Sequence, residues 1–274
     1  MLLKSFWRFV RSFNHTINHH PMTMSRTYRN LLFFLGLLIF SSCQSTAQIN
    51  KVIQQTLGTP NNSEIATGLK EALEKGTGVS TDRLSAVDGY FKNPDVKILF
   101  PEEAKNVEKT LRSIGLGSVC DQAIESLNKA AEEAAKEAKP IFTAAIKQMT
   151  LQDVRGILLG ENDAATQYFA RTTSQELTKK FSPIINSSLQ KVNATNYWSD
   201  VMTQYNKIPL VKPVNTDLTA YVTQKAIDGL FVEIAKEEYK IRELVTERTS
   251  PLLLKVFSYA EREKEARKKD NPGF

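Results

Sequence analysis

Histidine and cysteine bound the chemistry open to this chain. All three histidines, His15, His19 and His20, precede residue 31. Ser-His-Asp and Cys-His catalysis need an imidazole beside a nucleophile, so both are excluded for the rest of the sequence. Zinc sites with His ligands fall on the same ground. The two cysteines, Cys43 and Cys120, are too few for a Cys-only zinc site. Once Cys43 is modified or removed they cannot form an internal disulfide either. No catalytic residue, metal site or cofactor is therefore expected. Gly115-Leu116-Gly117-Ser118 lacks the third glycine and preceding strand of a dinucleotide site, and reads as one helix end followed by a cap.

Two constellations remain as candidate binding residues. Asp163, Thr166, Gln167, Tyr168 and Arg171 are the densest mixture of polar and aromatic groups. On a helix the first three share one face and the last two an adjacent one, which can line a polar pocket. The same residues also read as a helix N-terminus with Asp163 as cap. Tyr197, Trp198, Met202 and Tyr205 recur at helical spacing. They can wall a groove for an apolar or peptide ligand, or pack as core. Asp88 and Asp95 flank an Asn-Pro turn without calcium-loop spacing. Acid–base chemistry without histidine would need Asp88, Asp163 and Asp228 to converge, one with a raised pKa. Cys120 sits on an apolar seam, as a buried inert thiol does.

The elements that must position these residues are helical. From Ser63 the apolar residues Ile65, Leu69, Ala72 and Leu73 share a face, and Gly76 and Gly78 are expected to end that helix. Residues 86–100 hold two short apolar runs around Asn93-Pro94, which predicts a short extended or hairpin element. Pro101-Glu102-Glu103 opens a helix with Val107, Leu111 and Ile114 on its face, ended at Gly115. Cys120, Ile124, Leu127, Ala131, Ala134 and Ala138 form a close-packing seam. Thr150 with Asp153 matches a capping box. Asn162 or Asp163 can cap the next helix, Thr173 with Glu176 a further one, and Pro183 is expected to be a joint. Asp217 starts the longest run and Pro251 the last. The fold class is mostly α: a single multi-helix domain with one short extended element near residues 86–100.

Charge and hydropathy place the chain in a cell. The net charge of +6 is concentrated at the start. Residues 1–43 hold five bases and no acid, leaving 31 bases against all 30 acids. A nearly neutral domain gives no reason to expect nucleic acid. Arg26 and Arg29, then the apolar run 31–40, then Ser41-Ser42-Cys43, compose a secretory signal with a lipobox-like end. The run is too short for a permanent span, which takes about 20 apolar residues. Cys43 is the expected lipidation site, with cleavage after Ala47 as the alternative. Translation is expected to begin at Met24. The domain reading is a presequence and signal over 1–43, a linker over 44–62, a helical domain over 63–260 and a charged tail over 261–274.

Several short motifs carry a resemblance. They are Asp88-Gly89-Tyr90 with Asn93-Pro94 and Val96-Lys97-Ile98, Pro140-Ile141-Phe142, and Ala145 to Thr150. Asp163 to Phe169 with Arg171-Thr172-Thr173, Tyr205 to Pro209, and Gln224 to Phe231 complete the set. Together, over about residues 60–258, they resemble the bacterial domain-of-unknown-function 4197 (DUF4197) family. The resemblance implies an exported, often lipid-anchored envelope protein with a mostly helical domain, and brings no catalytic residues. The expected function is a binding or scaffold module in the periplasm. A lipid anchor would hold it to a membrane, the outer one favoured, and an envelope protein or small ligand would be its partner. The alternatives are a histidine-free carboxylate enzyme acting on an envelope polymer or lipid, and a carrier of an apolar ligand.

Overall fold

The computed structural model describes Thr56, residues 58–207 and residues 217–270. Cys43, Met24, the linker up to residue 55 and the Ile208–Pro213 stretch lie outside the described residues, as do the side chains of Tyr197, Met202 and Tyr205. Among the described residues there are nine helices: α1 (Asn62–Ser85), α2 (Lys105–Ser113), α3 (Gly117–Ala135), α4 (Ala138–Gln148), α5 (Leu151–Leu158), α6 (Ala164–Lys191), α7 (Ala194–Tyr205), α8 (Leu218–Glu243) and α9 (Pro251–Asp270). Short 3-10 turns at Glu102–Ala104 and Val245–Glu247 precede α2 and α9.

Helix starts follow local chemistry where a side chain is at hand. Asn61 accepts from the Ser63 and Glu64 N–H groups while Glu64 accepts from the Asn61 N–H at 2.8 Å, closing a capping box on α1. Thr150 and Asp153 do the same for α5, as their spacing predicts. Asp217 accepts from the Ala220 N–H and starts α8.

Helices α6 and α8 form the centre. They pack most extensively on each other, α3 lies against α6, and α1 crosses α8. Phe142 and Phe169 meet edge-on at 5.3 Å in the core, beside the fully buried Phe181, Leu177 and Leu158. The alanine seam of α3 is buried: Ala130, Ala131, Ala134 and Ala135 are at most 1% exposed, close enough for helix backbones to approach.

Three expectations need correction. No hairpin forms over 86–100, and no strand occurs among the described residues. Residues 86–97 instead coil through i→i+3 and i→i+4 bonds, among them Lys92 N–H to Asp88 O at 3.0 Å and Lys97 N–H to Asn93 O at 2.9 Å. The Tyr90 and Phe91 N–H groups both donate to the buried Glu132 carboxylate of α3, each at 3.1 Å. Their polar groups are satisfied without a ladder. Gly89 is required in this coil, because a Cβ there would lie 2.3 Å from the Arg83 carbonyl oxygen.

The second correction is that α1 runs through Gly76 and Gly78 to Ser85. Close packing accounts for some of the glycines of α1: a Cβ on Gly68 would come within 2.8 Å of Val256 in α9, and one on Gly76 would lie 3.6 Å from the Glu237 Cβ of α8, whereas Gly78 has nothing within 4 Å. The third is that α6 is continuous from Ala164 through Pro183, so Thr173 with Glu176 caps no further helix; Thr173 is buried within α6 and its hydroxyl donates to the Phe169 carbonyl at 2.6 Å. Pro183 faces solvent, so the carbonyl it leaves unpaired, that of Lys179, is at an exposed position.

Candidate functional site

An open apolar groove of about 510 Å³ lies between α2, α3 and the start of α7. Its floor is built from Phe100, Ala104, Ala123 and Leu127, and one wall is Trp198. Trp198 is 8% exposed and stacks on Phe100 with ring centroids 6.0 Å apart. Val192 and Ala194, where α6 gives way to α7, and Leu218 at the head of α8 close one end. Val107 and Leu111 lean in from α2, a helix with no buried residue. Val119 and Val192 are each 53% exposed at the rim.

Two of the polar residues lining the groove, Glu108 and Ser126, are already engaged. Glu108 and Asp121 both accept from Arg112, each at 2.8 Å, which links α2 to α3. Ser126 donates to the Gln122 carbonyl at 2.8 Å. The groove therefore offers dispersion and desolvation to an occupant, with little demand for a charged partner. Of the four aromatic-rich residues singled out on the sequence, Trp198 lines it. The other members, Phe100, Val107, Leu111 and Val119, come from elements too distant in sequence for spacing to join them. One local signal does exist: Val119 is apolar but lies off the buried Cys120–Ile124–Leu127 seam of its own helix.

The polar constellation on α6 is spread among different partners. Thr166 turns inward, its N–H and hydroxyl donating to Glu238 at 2.9 and 2.8 Å. Gln167 donates to the Asp163 carboxylate at 3.0 Å, both exposed. Tyr168 is buried, with its hydroxyl 3.3 Å from the Ala145 carbonyl, and Arg171 lies over its ring at 5.7 Å. Asp163 is the residue before α6 but does not cap it. That role falls to Glu238 of α8, which also accepts from the Ala165 N–H at 2.9 Å. Arg242, one turn along α8, donates to Glu238 at 2.7 Å and to the Ile157 carbonyl at the end of α5 at 2.8 Å. One buried ion pair thus serves the negative end of α5 and the positive end of α6.

The acids that might have formed a catalytic pair are separately engaged. Asp88 pairs with Lys92 at 2.8 Å, Asp163 accepts from Gln167, and Asp228 accepts from Gln224 at 2.8 Å. Among the described residues, Glu64, Asp153, Glu233 and Glu237 have pKa values that depart from the ordinary carboxylate value, and all four move down. Burial pushes Glu233 up, but hydrogen bonds from Lys236, Arg83 and Asn93 outweigh it and hold the carboxyl low. Burial likewise raises Glu237, and Lys240 with Arg83 overcomes it. Among the described residues no three His, Cys, Asp or Glu side chains gather as metal ligands. No described helix is long and apolar enough to cross a membrane.

No curated protein matches the chain, and no solved structure does. A family description, "Protein of unknown function (DUF4197)", matches residues 59–258, which takes in α1 to α8 and the first two turns of α9. The groove residues, Phe100 to Leu218, all lie within the matched span, and the chain belongs to the DUF4197 family.

Proposed function

We propose that this chain is an exported, lipid-anchored envelope protein whose helical domain binds an apolar small molecule in the Trp198 groove. The groove carries the reading. At about 510 Å³ it falls within the range of roughly 300–1,000 Å³ that ligand sites occupy. It is open, and its apolar rim residues Val119 and Val192 remain half uncovered. Support for the anchor comes from the sequence: the apolar run 31–40 ends at Ser41-Ser42-Cys43, and a diacylated cysteine holds a domain to a bilayer without a helix.

Native mass spectrometry of the protein extracted gently from its own host's envelope tests both parts. The expected result is a lipid mass on Cys43 and a second, dissociable mass. An Ala123→Trp variant, which fills the floor of the groove, should lose only the second. Absence of that mass from the parent protein, or its survival in Ala123→Trp, refutes the groove as the binding site. Recovery of a Cys43→Ala variant in the same membrane fraction as the parent refutes the anchor.

A further inference from the structure

Of the helices that line the Trp198 groove, α2 alone has no buried residue. It packs mainly on α3 and on the 3-10 turn that precedes it. The chain is fixed to the core on either side, by the buried Ala104 before α2 and the buried Cys120 after the turn. Val107, Leu111 and Ile114 recur at steps of four and three and so share one face. The first two are half-buried and line the groove, while Ile114 is 65% exposed. The positions around them, Lys105, Asn106, Lys109, Thr110 and Ser113, are polar and exposed. The apolar face of α2 is therefore only partly covered.

Little holds α2 in place. Among the described residues, Arg112 carries the only ion pair between α2 and α3, to Asp121 at 2.8 Å. Both side chains are open to solvent, where such a pair is weak and is screened by salt. The turn that follows contains Gly115 at φ +87°, in the left-handed region that glycine takes without strain. A Cβ at Gly115 would meet nothing within 4 Å, so the glycine serves the backbone and not packing. A short helix with no buried side chain, one exposed ion pair and a glycine turn belongs to the low-stability end of a fold, from which lids are drawn.

We propose that α2 is a hinged lid on the Trp198 groove, latched by the Arg112–Asp121 pair. It swings about Gly115 and the Ala104–Lys105 junction. With the latch broken α2 lifts, and an apolar molecule enters or leaves. With the latch made, Val107, Leu111 and Ile114 close over the occupant. The inference rests on the groove being the binding site.

Spin-label distance measurement tests the motion without any ligand. Labels replace Lys109 on α2 and Lys191 at the end of α6 (Lys109→Cys/Lys191→Cys), both exposed, in the full chain carrying Cys43→Ala; the buried Cys120 stays unlabelled. The expected result is a longer-distance population that grows about twofold to fivefold in Asp121→Asn, the shift that loss of an exposed ion pair produces. The same population should grow in about 1 M salt, where the Debye length falls to about 3 Å. A single distance that neither change moves overturns the lid and leaves the groove's role as a binding site intact. Native mass spectrometry then tests the gating. Arg112→Cys/Asp121→Cys, its two introduced thiols joined by a short bis-maleimide, should keep the dissociable mass through washing that strips it from the unbridged variant. Equal loss from the bridged and unbridged chains overturns the gate. A parent chain that carries no dissociable mass overturns the binding reading, and the lid's role with it.

Discussion

Replacing Glu238 by alanine is expected to be among the most damaging single changes in the domain. Glu238 and Arg242 are each only 8% exposed, and the carboxylate receives hydrogen bonds from Ala165, Thr166 and Arg242. Its removal uncaps α6, which costs about 1 kcal/mol. It also strands a guanidinium that keeps only the Ile157 and Leu158 carbonyls. Breaking one side of a buried pair costs roughly 3–5 kcal/mol in total, because a buried charge is left uncompensated. For a domain of this size that is a fall in Tm of roughly 6–20 °C. Thermal and guanidinium unfolding followed by circular dichroism measure it. The double variant Glu238→Ala/Arg242→Ala removes the stranded charge and should lose at least about 1 kcal/mol less than the sum of the two single changes. If Glu238→Ala stays within about 0.5 kcal/mol of the parent, as a surface change does, the pair does not hold the α5, α6 and α8 ends together.

Stability is expected to fall in acid through Glu233 and Glu237. Their folded pKa values lie below the ordinary 4.5, so their contribution is present above that value and is lost as pH drops through the folded pKa. Unfolding titrations from pH 6 to pH 3 should show a shallower fall for Glu233→Gln/Glu237→Gln than for the parent. Two glycine substitutions in α1 should have opposite signs. Gly68→Ala forces a Cβ to 2.8 Å from Val256 and should destabilise by about 1–3 kcal/mol, while Gly78→Ala meets nothing within 4 Å and should stabilise by about 0.4–1 kcal/mol. Denaturant midpoints check both. Asn128→Ala leaves the buried Ile98 N–H and C=O without partners, at about 1–3 kcal/mol for each group, and Asn128→Asp should not rescue it because the donor is lost.

Local signals carried most of the helical reading, and long-range ones carried almost none of it. The Thr150–Asp153 box, Asp217 as a cap and the α3 alanine seam depend on residues a few positions apart, and each is where its spacing puts it. Asp163 precedes α6 as a cap should, yet Glu238, more than 70 residues on, supplies the oxygens. No pattern along the chain announces that exchange. The apolar runs at 86–100 look like paired strands until Glu132 and Asn128 of α3 are brought beside them. Gly76 reads as a stop because the sequence does not show α8 crossing there, its Glu237 Cβ 3.6 Å from where a side chain would begin. Of the groove, Trp198 was legible as an aromatic at helical spacing, whereas Phe100 and the α2 residues join it only through the tertiary fold.

Between Lys105 and Val119 no residue is fully buried, whereas Ala104 before and Cys120 after are. The chain leaves the core, makes α2 and the Gly115 turn, and returns without adding a fully buried side chain. A nine-residue helix gains little from propensity alone, so α2 opens at far lower free energy than α6 or α8. Trypsin should therefore make its first cut among the described residues at Lys105, Lys109 or Arg112, and the two products should stay associated. This is also the stretch in which insertions and deletions should be absorbed with the core intact, so that length variation within the family gathers over the groove.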